Sequence, residues 1–318
     1  MMRLAFLMIS VSVVSIATAQ TYPVKPVRFV SPYPPGGAND ILARIVGQKL
    51  GESLGQQIVI ENRGGATGNI GAEYVAKAPP DGYTILMGQA SNLTINVSLM
   101  KMPYDPVKDL APVTLVATTP NLLVVHPSLP VRTVKDLVTL AKSKPGSINY
   151  ASSGSGSAGH LAGELFNRVA NVQMVHIPYK GAAPALTDVV AGQAQLYFTS
   201  PISAQPFVKG GRLRMVAVTS LKRSASMPDI PTVAESGYPD FDVVSWWGVL
   251  TPAAVSKEII GKLHTEIVKV LALPEIKAKF ADQGADGASN TPEQFAAYIK
   301  TEIAKWGKLI KELGVKSE

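Results

Sequence analysis

The chain has 318 residues, 46% of them apolar and only 17% charged, with a net charge of +7. That length and apolar content suit two globular domains, each with its own core, and exclude a disordered or highly charged chain. No cysteine is present, which excludes disulfide frameworks, thiolate metal sites, iron–sulfur clusters, Cys nucleophiles and lipid attachment at Cys.

Arg3 precedes an apolar run from Leu4 to Ile16, and Ala17-Thr18-Ala19 supplies the small-x-small pattern of a signal-peptide cleavage site. Residues 1–19 therefore read as an export signal cleaved after Ala19. The run is shorter than the roughly 20 residues that span a bilayer, and Gln20-Thr21-Tyr22-Pro23 breaks it. Loss of Arg3 takes the net charge from +7 to +6. The mature protein is expected to be soluble and outside the cytoplasm, where no pool of ATP or NAD supports nucleotide-dependent chemistry.

Short apolar runs alternate with helical patterns along the mature chain, the grammar of an α/β fold with mostly parallel sheets. Val27–Val30, Ile58–Ile60 and Thr84–Met87 read as buried strands, and Ile41, Leu42, Ile45, Val46 and Leu50 form a helical stripe between the first two, stopped at Gly55. A second series follows at Ile148–Ala151, Val175–Ile177, Leu196–Phe198 and Met215–Val218, with a helix over 158–170 whose stripe is Leu161, Leu165, Phe166 and Val169. The extended segments Leu115–Ala117 with Leu122–Val125, and Val243–Leu250, bracket this second series. They predict a double crossover between two Rossmann-like domains, 20–121 with 246–318 and 122–245. The last helix is marked by Thr291 as N-cap, Pro292, a capping box to Gln294, an apolar side of Phe295, Tyr298, Trp306, Leu309 and Leu313, and Gly314 as stop.

Two segments carry candidate chemistry, each at the carboxyl end of the first strand of its series: Ser31–Asp40 and Ala151–His160. Ligands in open α/β sheets sit at such ends, where helix N-termini present free N–H groups to an anion. Neither loop contains Lys or Arg, so a bound anion would rest on backbone N–H groups, near Gly36 to Ala38 and near Gly156 to Ser157, on Ser hydroxyls and on waters. Gly154-Ser155-Gly156-Ser157-Ala158-Gly159 fits G-x-G-x-x-G, yet the next strand ends in Pro178-Tyr179-Lys180 without the acidic ribose ligand of a dinucleotide site. For a serine hydrolase, Ser155 stands where G-x-S-x-G requires its first Gly. His126, His160, His176 and His264 are dispersed, so no catalytic metal is expected, and no cofactor. The basic run Lys209 to Arg223 contains no aromatic and reads as a solvated face rather than a nucleic-acid site.

Taken in order, Tyr22-Pro23-x-Lys25-Pro26-Val27-Arg28-Phe29-Val30, Pro34-Pro35-Gly36-Gly37 with Asp40, Glu61-Asn62-Arg63-Gly64-Gly65-Ala66-Thr67-Gly68-Asn69-Ile70-Gly71, Pro79-Pro80-Asp81-Gly82-Tyr83-Thr84, Tyr150–Ser157, His176–Gly181 and Trp247-Gly248 resemble the substrate-binding receptors of tripartite tricarboxylate transporters, the Bug receptors. The resemblance covers essentially the whole mature chain. It departs from the family pattern at Thr67 and at the Trp246-Trp247 pair. It implies a type II periplasmic-binding-protein, or Venus flytrap, architecture. It also implies a periplasmic, monomeric receptor without enzymatic activity, which hands a small carboxylate to a permease of one small and one large membrane subunit. Carried over by motif, the ligand walls are Tyr33, Pro34, Gly36, Gly37, Ala38 and Asp40 on one side. On the other are Ser152, Ser155, Gly156, Ser157 and His160, flanked by Lys180, Gly181, Phe198 and Thr199. Gln89, Ser91 and Asn92, just past the third strand, would meet the far end of the ligand or merely cap a turn, with Asp40 bracing its loop or holding a water and Trp246 in the hinge wall or the core. The rival reading is an exported hydrolase using Ser155 or Ser157, and a third is a subunit presenting ligand to a membrane sensor.

Overall fold

The computed structural model describes residues 22–224 and 226–315. The export segment and its cleavage after Ala19 lie outside the described residues. The strands are β1 (Val27–Ser31), β2 (Ile58–Asn62), β3 (Thr84–Gln89), β4 (Leu110–Pro120), β5 (Leu122–Val125), β6 (Asn149–Ser152), β7 (Val175–Pro178), β8 (Leu196–Thr199), β9 (Arg214–Val218), β10 (Val244–Pro252) and β11 (Asp286–Gly287). They form two sheets, β11-β4-β10-β3-β1-β2 and β7-β6-β8-β5-β9. The helices are α1 (Ala38–Leu54), α2 (Asn69–Ala76), α3 (Asn96–Leu99), α4 (Val134–Ser143), α5 (Ala158–Ala170), α6 (Ala182–Val190), α7 (Pro201–Lys209), α8 (Lys257–Ala272), α9 (Pro274–Asp282) and α10 (Pro292–Leu313).

The sheets are mixed rather than mostly parallel. β1 runs parallel to β2 and β3, and β6 to β7 and β8. β10 is antiparallel to β3 and β4, and β5 to β8 and β9. The opposed strands β5 and β10 are those by which the chain arrives from the other sheet, so the double crossover itself produces the mixture. Both passages meet at Thr219: Asn121 N–H donates to its hydroxyl at 2.8 Å, and its own N–H returns to the Asn121 carbonyl at 2.9 Å. Val243 N–H reaches the Thr219 carbonyl at 2.9 Å, and Ser245 Oγ donates to Asn121 Oδ1 at 2.8 Å.

Local chemistry accounts for the helices that matter to the site. Leu42, Val46 and Leu50, four apart, are fully buried on one side of α1, and Gly55 ends the helix at φ +66 with its N–H on the Gly51 carbonyl. Ser157 caps α5 by accepting from His160 N–H, and Leu161 and Phe166 are buried beneath it, while Val169, read on the same stripe, is exposed. α10 begins with the Thr291–Gln294 capping box and ends at Gly314 in the left-handed region. Its Trp306 and the crossover residue Trp246 both donate their indole N–H to Glu302, at 3.0 and 3.1 Å. That buried carboxylate, with Trp246 edge-on to Phe295 and Tyr298, fixes α10 against the first sheet. One apolar cluster continues from there through Trp246 to Phe166 and Phe198 of the second lobe. Among the described residues no helix is long and apolar enough to cross a membrane.

Candidate functional site

The loop between β1 and α1 turns back on itself at Gly36, whose φ of +83 suits a residue without Cβ. Its N–H then donates to Asp40 Oδ2 at 3.0 Å. The Asp40 carboxylate also receives Asn62 Nδ2 at 2.9 Å and the Arg44 guanidinium at 2.9 and 3.1 Å. Burial alone would push this carboxyl up, but the Arg44, Gly36 and Asn62 hydrogen bonds and the Arg44 charge together hold it below the usual range. Asp40 thus braces its loop from behind. The opposite loop is closed the same way: Gly156 N–H donates to His160 Nδ1 at 3.1 Å, Ser157 N–H to the Gly154 carbonyl at 3.0 Å, and His160 N–H to Ser157 Oγ at 3.2 Å.

These bonds correct the expected donor set. The N–H groups of Gly36, Gly156 and Ser157 are spent within their own loops. The first-turn N–H groups of Ala38 and Asn39 in α1, and of Ala158 and Gly159 in α5, have no intrahelical acceptor. All four residues line a cavity of about 60 Å³ between the lobes, beside Ala182 at the start of α6 and Ser200, the N-cap of α7. Four helices therefore begin at one space between the lobes, each with the positive end of its dipole there. Among the described residues no Asp, Glu, Lys, Arg or His side chain lines it. At 10–15 Å³ per water, the space suits about four to six waters or a small ligand.

Of the residues expected at the site, Tyr33, Pro34, Gly37, Ala38, Gln89, Ser91, Phe198 and Thr199 line the cavity. Gly36, Asp40, Gly156, Ser157 and His160 stand one layer behind, shaping the loops. Asn92 Oδ1 accepts from Gln89 N–H at 3.0 Å and so caps a turn rather than facing the cavity. Lys180 is exposed, and Gly181 sits at the rim, where a Cβ would lie 3.2 Å from Pro34 of the other lobe. Ser152 is wholly buried, with His176 Nε2 2.6 Å from its hydroxyl. The histidines, dispersed in sequence, meet in part: the His160 and His176 rings stack 4.0 Å apart. Burial lowers His160 to about 4, and burial followed by the neighbouring His160 lowers His176 to about 3, so both are neutral at pH 7 and supply no cation. No group of three or more His, Asp and Glu among the described residues can hold a metal.

Sequence reasoning missed Asn121, Tyr197, Ser203, Ser245 and the cavity face of Trp247, while Asn39 and Ser153 fall inside its two wall segments without having been singled out. Asn121 and Ser245 come from the crossovers and Ser203 from α7, with no motif to mark them. Burial raises the phenols of Tyr33 and Tyr197, which face the cavity from opposite lobes and remain protonated. Tyr33 Oη donates to the Thr67 carbonyl at 2.8 Å, and Thr67 Oγ1 crosses the cleft to the Ser155 carbonyl at 2.9 Å. The lobes thus touch around a space on which helix N-termini of both converge.

Comparison with known proteins identifies the fold and the family. The model of the tripartite tricarboxylate transporter family receptor matches residues 42–315. A protein of the tcbD–tcbE intergenic region of a Pseudomonas species is 39% identical over 92% of this chain and 87% of its own length. BugT of Bordetella pertussis is 36% identical over 94% and 92%. Among solved structures, a Rhodopseudomonas palustris protein with adipate superposes at a TM-score of 0.91 with 37% identity, covering 93% of this chain and all of that one. The periplasmic binding protein BugD gives 0.89 at 35%, covering 93% of this chain and all of BugD. MatC from R. palustris with bound malate gives 0.86 at 30%, covering 91% of this chain and all of MatC. The two-lobed fold is that of these periplasmic binding proteins, and the family is one of solute receptors rather than enzymes. The chain belongs to the tripartite tricarboxylate transporter receptor family.

Proposed function

We propose that this chain is a periplasmic receptor that binds a small carboxylate between its lobes, taken as 20–121 with 246–318 and 122–245. It delivers that ligand, as a monomer, to a permease with one small and one large membrane subunit. The observation that carries the reading is the convergence of helix N-termini from both lobes on one uncharged cavity. Charge-assisted hydrogen bonds contribute roughly 1.5–3 kcal/mol each and a partly buried helix terminus up to about 2. Four such contacts reach the roughly 8 kcal/mol of a micromolar complex after association costs. No arginine clamp is needed. A ligand that touches both walls favours the closed arrangement by its differential affinity, and the permease would read that closed surface. Solved relatives holding adipate and malate support a carboxylate as the ligand.

Less supports the rival hydrolase: Ser157 Oγ caps α5, and the serine bonded to an imidazole, Ser152, is buried behind the loop. A thermal-shift screen tests the reading: protein unfolded and refolded to strip bound ligand is mixed with aliphatic mono-, di- and tricarboxylates, acidic amino acids and aromatic acids. A ligand at about a hundred times its Kd stabilises by roughly 2.7 kcal/mol, a shift of several degrees at this size. A selective shift for one class supports the receptor, and no shift with any acid overturns it.

A further inference from the structure

The side chain of Asn39 faces the cavity with its orientation fixed. Nδ2 donates to the Met87 carbonyl at 2.8 Å and to Gln89 Oε1 at 3.4 Å. That Gln89 oxygen is itself assigned by Trp247, whose indole N–H can only donate and reaches it at 2.9 Å. Rotating the Asn39 amide would set an oxygen against two oxygens, so Oδ1 is left as an acceptor. Asn39 is 2% exposed, and its Oδ1 has no hydrogen-bond partner among the described residues. Two further cavity residues carry unpartnered buried atoms: Asn121 Nδ2, whose amide oxygen is occupied by Ser245 Oγ, and Ser203 Oγ. Buried polar groups in native proteins are normally satisfied, so three orphans on residues that line one cavity point to what completes them.

We propose that the ligand is a hydroxyl-bearing carboxylate, and that Asn39 Oδ1 accepts from its hydroxyl while helix N-termini hold the carboxylate. This rests on the reading of the cavity as a carboxylate site. A plain alkanoate leaves all three atoms unpaired. A second carboxylate satisfies Asn121 and Ser203 but turns a lone pair toward Asn39 Oδ1. An ammonium suits Asn39 but turns a donor toward Asn121 Nδ2, and among the described residues no carboxylate side chain lines the cavity to pair with it. A neutral hydroxyl donates to Asn39 and accepts from the others at no such cost.

The test is calorimetric titration of the refolded protein with acids paired by one hydroxyl: lactate and propionate, 3-hydroxybutyrate and butyrate, malate and succinate, 4-hydroxybenzoate and benzoate. Leaving a buried acceptor unpaired translates into about tenfold to a hundredfold in affinity. The hydroxy acid of the best-binding pair is expected to win by that factor, and Asn39→Ala to bring the pair within about twofold, whatever it does to the affinity of both acids. Binding of acids without a hydroxyl preference, or a preference that survives Asn39→Ala, overturns the assignment and leaves the receptor reading standing. If no acid binds, both fall. Should Asn39→Ala not fold, the wild-type pairs decide alone.

Discussion

The hydroxyl of Thr67 in the first lobe donates to the carbonyl of Ser155 in the second across 2.9 Å of cleft. Thr67 and its neighbour Ala66 lie at φ +51 and +45, a region that β-branched residues rarely enter. Tyr33 Oη and Asn96 Nδ2 hold the Thr67 carbonyl there. If the ligand closes the lobes, this bond forms with closure at a strained residue. Thr67→Val is expected to weaken carboxylate binding about twofold to tenfold, as a single net hydrogen bond does, through faster dissociation. Thr67→Ser, which keeps the hydroxyl, should restore it in stopped-flow dissociation. Equal rates in all three proteins would remove the cross-cleft bond from the account.

Gly37 faces Ala182 across the same cleft, where a Cβ would stand 3.9 Å from the Ala182 methyl. Its φ of −85 places no strain on a substituted residue. Gly37→Leu should leave the melting temperature within a few degrees of wild type and abolish binding, because the longer side chain meets the opposite lobe before closure. Retained affinity would show that the lobes do not approach at this point.

The stacked His160 and His176 give the protein an acid limit. Their folded-state values, about 4 and about 3, lie below the ordinary 6.5, so the unfolded chain binds more protons between these limits. The corresponding stability is complete above pH 6.5 and is lost as the pH falls toward 4. For His160 it is on the order of 3 kcal/mol. Melting curves from pH 7.5 to 4 should show the decline, and His160→Gln, which keeps an acceptor for Gly156 N–H without a titrating ring, should flatten it. A wild-type curve no steeper than that of the variant contradicts the assignment.

Asp40→Asn sets an amide nitrogen among the donors of Gly36, Arg44 and Asn62. Urea unfolding at pH 7 should show a loss of about 2–3 kcal/mol, the scale of hydrogen bonds to a charged group. Since the folded Asp40 value lies below its ordinary one, this contribution is present above the usual carboxylate range and fades as the pH falls through the folded value. An unchanged unfolding midpoint would deny Asp40 its role as a brace.

The fold was largely legible in the residues. Leu42, Val46 and Leu50 declare α1 by spacing, Thr291 to Gln294 declares the start of α10, and the apolar segments around Asn121 and Val243 declare the crossovers. Both wall loops were legible too, as glycine-rich turns from strand to helix. Which N–H groups remain free was not, because the Gly36–Asp40 and Gly156–His160 bonds depend on how each loop folds back. The hinge-side polar residues were invisible for another reason. Asn121 meets Ser245 over 124 positions of chain and Thr219 over 98, contacts no local pattern can announce.

The central claim is that helix N-termini of both lobes grip one carboxylate. Its most direct test follows the backbone amide resonances of Ala38, Asn39, Ala158 and Gly159 while the best acid from the thermal-shift screen is titrated into isotope-labelled protein. The account predicts that all four move with a single Kd, one pair from each lobe. Movement confined to one lobe, or binding that leaves these amides in place, would contradict it.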